Sequence, residues 1–139
     1  MTAQTHLPEK WIERLRALLE IPQDHQTYRF FEAQQRAEGG TARWNPLNTT
    51  NHVHSDATGD WQGADYNSIG VCNYAKAYQG ILATADTFMQ DAFHDLLVAL
   101  RGAQANGQTA EQIVSANEAA IKTWGTSPTL MLQVLKALP

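Results

Sequence analysis

Apolar positions recur at helical spacing near the start of the chain, where Trp11, Ile12, Leu15, Leu18 and Leu19 fall on one face. This spacing predicts an amphipathic helix from about Pro8 to Glu20, with Pro8 suited to its first turn. Ile21-Pro22 ends it. Asp24 is a good N-cap for a second helix that carries Tyr28, Phe31, Ala33 and Gln35 toward Glu38. Gly39-Gly40 then stops that helix, because glycine readily takes the left-handed conformation found just past helix ends.

The helical period vanishes between Gly39 and about Tyr74. Asn45, Pro46, Asn48, Thr49, Thr50, Asn51, Asp56, Gly59, Asp60, Gly63, Asn67 and Gly70 are residues of turns and short strands. Two or three short strands are expected there. A loop of this length inside a compact domain is usually functional. Helical signals return with two apolar stripes, Ile81, Leu82, Ala85, Phe88 and Met89, then Phe93, Leu96, Leu97, Val98 and Leu100. Thr109 to Gln112 matches a capping box opening a helix through Ile113, Val114 and Ile121. Ser127-Pro128 pairs an N-cap with a first-turn proline ahead of Leu130, Leu132, Val134 and Leu135. The pattern predicts a single, mainly α domain over residues 1–139, with five or six helices and a small β-region between the second and third.

Composition narrows the function classes. The 139 residues suffice to bury a core without disulfides or metals. Ten Lys and Arg against 14 Asp and Glu give a net charge of −4, and the basic residues are scattered, which argues against nucleic-acid binding. The lone Cys72 excludes an internal disulfide and a cysteine-rich zinc site. No apolar run approaches the roughly 20 residues of a membrane span. Met1 to Lys10 lacks a signal-peptide pattern, so synthesis in the cytoplasm is expected.

Glu38 is the first candidate for chemistry. It sits where a helix ends, and the macrodipole disfavours a negative charge there by roughly 0.3–1 kcal/mol. Such a field favours the protonated form that a proton-donating Glu requires; a solvated Glu tolerating a small penalty is the plainer alternative. Trp44, Asn45, Asn48, Thr49 and Thr50, with Tyr66, Asn67 and Tyr74, combine amides and hydroxyls with aromatic rings. A sugar-binding groove uses amides and hydroxyls for hydrogen bonds and rings to cover apolar sugar faces, although turns and a core use the same residues. His52-Val53-His54-Ser55-Asp56 has the spacing of some zinc hydrolase sites, but the chain lacks the strands and length of that fold. Cys72, just ahead of a helix, reads better as a buried small residue than as a nucleophile.

The string Glu38-Gly39-Gly40, Asn45 to Thr50, Tyr66 to Val71, Asn73-Tyr74 and Gly80 resembles a small phage and actinobacterial family of lysozyme-like proteins, similar in layout to soluble lytic transglycosylases and goose-type lysozymes. The match covers about Glu32 to Thr87, with Trp124-Gly125-Thr126 a weaker echo. The loop from Asn51 to Gly63 is longer and richer in His and Asp than that pattern. The resemblance implies a lysozyme-like domain, acting as a monomeric peptidoglycan hydrolase without metal or cofactor. It would act after release to the wall, as an endolysin, or as a virion component, with no nucleic acid or membrane as partner. Glu38 would protonate the leaving glycosidic oxygen. Asp56, Asp60 and Asp65 are the candidates for a second carboxylate; a transglycosylase route needs none, because the sugar's own hydroxyl attacks. The alternative is a non-catalytic lysozyme-fold module that binds cell wall or builds the virion.

Overall fold

The first two helices form where the apolar spacing places them. α1 spans Trp11–Leu19 and α2 His25–Glu38 in the computed structural model, which describes residues 6–51, 64–65 (backbone only), 67 and 69–139. α1 begins three residues after Pro8, because Lys10 takes a left-handed conformation (φ 50°) that a helix cannot contain. Pro8 is therefore outside the first turn, and buried. Glu20 turns left-handed at the other end, and the N–H groups of Glu20 and Ile21 close onto the carbonyls of Ala17 and Arg16. Asp24 caps α2 by accepting from the Thr27 N–H at 3.2 Å. Buried Arg16 ties the two helices together, donating to the Asp24 carbonyl at 2.7 Å and to Thr27 Oγ1 at 3.0 Å. Gly39, at φ 63°, ends α2 as its sequence position suggests.

Two strands of two residues each follow among the described residues. β1 (Ala64–Asp65) pairs antiparallel with β2 (Cys72–Asn73), Ala64 opposite Asn73. Then come α3 (Ala77–Phe88), a 3₁₀ turn at Asp91–Phe93, α4 (His94–Gly102), α5 (Ala110–Ala116), α6 (Glu118–Trp124) and α7 (Pro128–Ala137). The fold is mainly α. Seven α-helices rather than five or six are present among the described residues. The helix expected to run from Thr109 through Ile121 breaks at Asn117, which leaves helical geometry (φ −129°) while its Nδ2 takes the Ile113 carbonyl at 2.8 Å. Both halves of the Thr109–Gln112 capping box form, and Ser127 caps α7 with Pro128 in its first turn.

α2 lies at the centre, packed along α7 and α5, while α1 covers α3. An edge-to-face chain of rings runs through this core: Trp11 to Phe31 at 6.4 Å, Phe30 to Phe31 at 5.4 Å and Phe31 to Phe88 at 5.6 Å. Such pairs add about 0.5–1.5 kcal/mol beyond the area they bury. Met89 and Val98, which continue the apolar stripes in sequence, are mostly exposed, and so is Tyr28 in part. A second small cluster of Cys72, Tyr74 and Ala83 sits under Trp44. Among the described residues no helix is long and apolar enough to cross a membrane.

Candidate active site

α2 delivers Glu38 half-buried at its last turn. Two distant segments then grip the carboxylate. Asn48 Nδ2 donates to Oε2 at 2.9 Å, and the buried Thr126 hydroxyl donates to Oε1. Thr126 follows Gly125, whose φ of 103° turns the chain out of α6 and back toward α2. The two partners differ chemically. An amide N–H can only donate, whereas a hydroxyl donates or accepts, so the Thr126 contact can form in either direction and the Asn48 contact in only one.

The loop after α2 is held in a strained but well-braced shape. Trp44 (φ 58°) and Asn48 (φ 57°) are both left-handed, a conformation that asparagine tolerates and tryptophan rarely adopts. Bracing comes from outside the loop. The Trp44 N–H donates to the His6 carbonyl at 2.7 Å, and the Trp44 carbonyl lies against Gly80 of α3, where a Cβ would be 1.6 Å from its oxygen. Asn45 is the internal hub: its side chain donates to the carbonyls of Thr49 and Cys72 at 2.9 Å and accepts from the Thr49 N–H at 2.9 Å.

Beside this loop lies a cleft of about 580 Å³. Asn48, Thr49, Thr50 and Asn51 form one wall. Thr87 and Gln90 extend it from the end of α3, with Thr87 Oγ1 at 2.6 Å from Thr49 Oγ1. Phe93, Thr123 and Trp124 form the apolar side. Trp124 is fixed by its Nε1–H bond to the Leu47 carbonyl at 2.8 Å and by ring contacts with Phe88 at 4.5 Å and Phe93 at 5.1 Å. Among the described residues the lining holds no charged side chain. Glu38 stands one hydrogen bond behind it, reached through Asn48.

The sequence-derived site is thus redistributed. Asn48, Thr49 and Thr50 meet at the cleft. Asn45 and Tyr74 do not: both are fully buried, with polar groups spent inside the protein. The Tyr74 hydroxyl donates to the Asn51 carbonyl, and burial pushes its phenol far above the ordinary tyrosine range. Trp44 packs on the small cluster rather than on the cleft wall. Asn67 forms a turn, its Oδ1 accepting the N–H groups of Ile69 and Val71, both at 3.2 Å. Asp56, Asp60, Tyr66 and the His52–His54 pair lie outside the described residues, and of Asp65 only the strand backbone is described. Cys72 is a buried strand residue, with its thiol 3.5 Å from the Gly70 carbonyl. Thr87, Phe93, Thr123, Trp124 and Thr126 were not singled out as site residues by composition. The only signal was the Trp124-Gly125-Thr126 string. No family model, curated protein or solved structure matches the chain.

Proposed function

We propose that the protein is a lysozyme-like glycosidase that cuts the glycan strands of peptidoglycan, with Glu38 as its general acid. One observation carries this reading: a carboxyl held from both sides, next to a cleft whose described lining offers amides, hydroxyls and aromatic rings. Asn48, Asn51, Thr50, Gln90 and Thr123 supply donors and acceptors for sugar hydroxyls and N-acetyl groups, and Trp124 with Phe93 supplies an apolar face. The volume falls within the range of small-ligand sites. In the reaction, the Glu38 O–H proton passes to the glycosidic oxygen as the C–O bond breaks. The resulting cation is captured by water or by the muramic acid's own hydroxyl. The protein would act on the wall as a monomer, after release or from the virion.

A second reading, a non-catalytic wall-binding or virion module, is favoured by the position of Glu38 behind Asn48. The Glu38→Gln variant separates the two. A glutamine keeps both contacts, its oxygen accepting from Asn48 and its NH₂ donating to the Thr126 hydroxyl, so the fold should be unchanged. Clearing of a peptidoglycan suspension should fall by about 10²–10⁴, the usual worth of a positioned proton donor. Clearing by the variant at the parent's rate would remove Glu38 as the acid, and a parent that clears nothing would leave the binding module. Mass spectrometry of the products reads the route, since capture by water and capture by the sugar's own hydroxyl give products differing by one water.

A further inference from the structure

We infer that Asn48 is a positioning residue that couples occupancy of the cleft to the proton on Glu38. This rests on the glycosidase reading and extends it. Asn48 belongs to both places at once: it lines the cleft, and its Nδ2 holds Glu38 Oε2 at 2.9 Å. While it does so, Oε2 is occupied by a group that can only donate, and Oε1 is held by the buried Thr126 hydroxyl. Glu38 does not line the cleft and meets it through Asn48, so contact between Oε2 and a bound sugar requires Asn48 to move aside.

A sugar in the cleft offers Asn48 a competing acceptor, an N-acetyl carbonyl or a hydroxyl. Drawn to it, the amide leaves Oε2, which becomes open to the glycosidic oxygen. Giving up the Glu38 proton leaves a carboxylate; it recovers a proton from solvent and accepts Asn48 again when the product departs. The backbone suits this role. Asn48 is left-handed at φ 57°, and its amide lies over Gly40, where a Cβ would stand 1.9 Å from Oδ1, so the resting position is defined.

The test is carbon and nitrogen NMR of the full chain titrated with a short N-acetylglucosamine oligomer, in the parent and in Asn48→Gly. Glycine accepts the left-handed φ at no steric cost, so the variant removes the amide without straining the loop. In the parent, the Asn48 side-chain amide and the Glu38 carboxyl carbon should shift together with the Trp124 indole. In Asn48→Gly, the indole should still shift while the Glu38 response is lost. An equal Glu38 response in both proteins, or an unmoved Asn48 amide beside a shifted indole, would overturn the coupling and leave the glycosidase reading intact. If no cleft resonance moves in the parent, the glycan site itself is wrong and the coupling falls with it.

Discussion

Gly40 and Asn48 share a space with no room for another atom: a Cβ on residue 40 would lie 1.9 Å from Asn48 Oδ1 and 2.5 Å from its Cγ. The glycine is what lets the amide lie flat against the end of α2 and reach Glu38. Gly40→Ala should push Asn48 aside and break its bond to Oε2. Asn48 also lines the cleft, and misplacing its contact with the sugar by an ångström costs catalysis on the order of 10²-fold, so peptidoglycan clearing should fall by about that factor. Gly39→Ala is the control. Nothing but the Arg36 carbonyl, 4.0 Å away, meets the added methyl. That variant should lose about 1–2 kcal/mol to its left-handed φ while clearing at close to the parent's rate.

Gly80 answers to backbone rather than to a side chain. A Cβ there would sit 1.6 Å from the Trp44 carbonyl oxygen and 2.7 Å from its carbon, with neither able to swing away. Overpacking usually costs about 1–3 kcal/mol, and an immovable neighbour places this case at the top of that range. Gly80→Ala should therefore lower the melting temperature by about 6 °C or more in a thermal scan. Nearly unchanged melting would mean that α3 and the Trp44 loop can separate freely.

Thr126 holds Glu38 Oε1 from a buried position. Thr126→Val keeps the shape and deletes the hydroxyl, leaving a carboxyl oxygen without its donor at a cost of about 1–3 kcal/mol. Thr126→Ser keeps the hydroxyl. Clearing activity should fall at least tenfold in the valine variant and recover largely in the serine variant, as measured on purified, folded proteins. Equal activity in all three would remove Thr126 from the site.

Away from the site, Arg29 of α2 clamps Glu111 of α5 with two bonds, at 2.7 and 3.0 Å, and also donates to the Leu135 carbonyl at 3.1 Å. The hydrogen bond from Arg29 holds the Glu111 carboxyl below its ordinary value. A depressed folded-state value stabilises the fold above the ordinary carboxylate range, and that advantage is lost as pH falls through the folded value. Because Glu111 is 42% exposed, solvent screening limits the effect to about 1 kcal/mol or less. Denaturant midpoints at neutral and acidic pH should show that Glu111→Gln is less stable than the parent at pH 7 and loses this difference in acid.

Several helix boundaries were legible because their causes are local. Asp24, Gly39, Thr109 with Gln112, and Ser127-Pro128 act on groups within about four residues, so residue order alone suffices. The α5–α6 break and the start of α1 were not. Asn117 splits one apolar stripe into α5 and α6 through a side-chain bond to Ile113, and Lys10 turns left-handed after a proline that would itself have suited a helix start.

Glu38 stood out in the chain because a carboxylate at a helix C-terminus contradicts local design, and that contradiction can be read without a fold. Its surroundings cannot. Asn45 and Tyr74 have the same chemistry as groove residues, and only the packing of β2 and α3 around them makes one a buried hub and the other a core ring. Thr126 reaches Glu38 from 88 positions away, and Trp124 reaches Leu47 from 77. The sequence by itself determined the mainly α class, the polar insertion and the Glu at the end of α2. Tertiary structure alone decided which amides, hydroxyls and rings face the cleft, because burial and long-range contact depend on where separate segments meet rather than on which residues they contain.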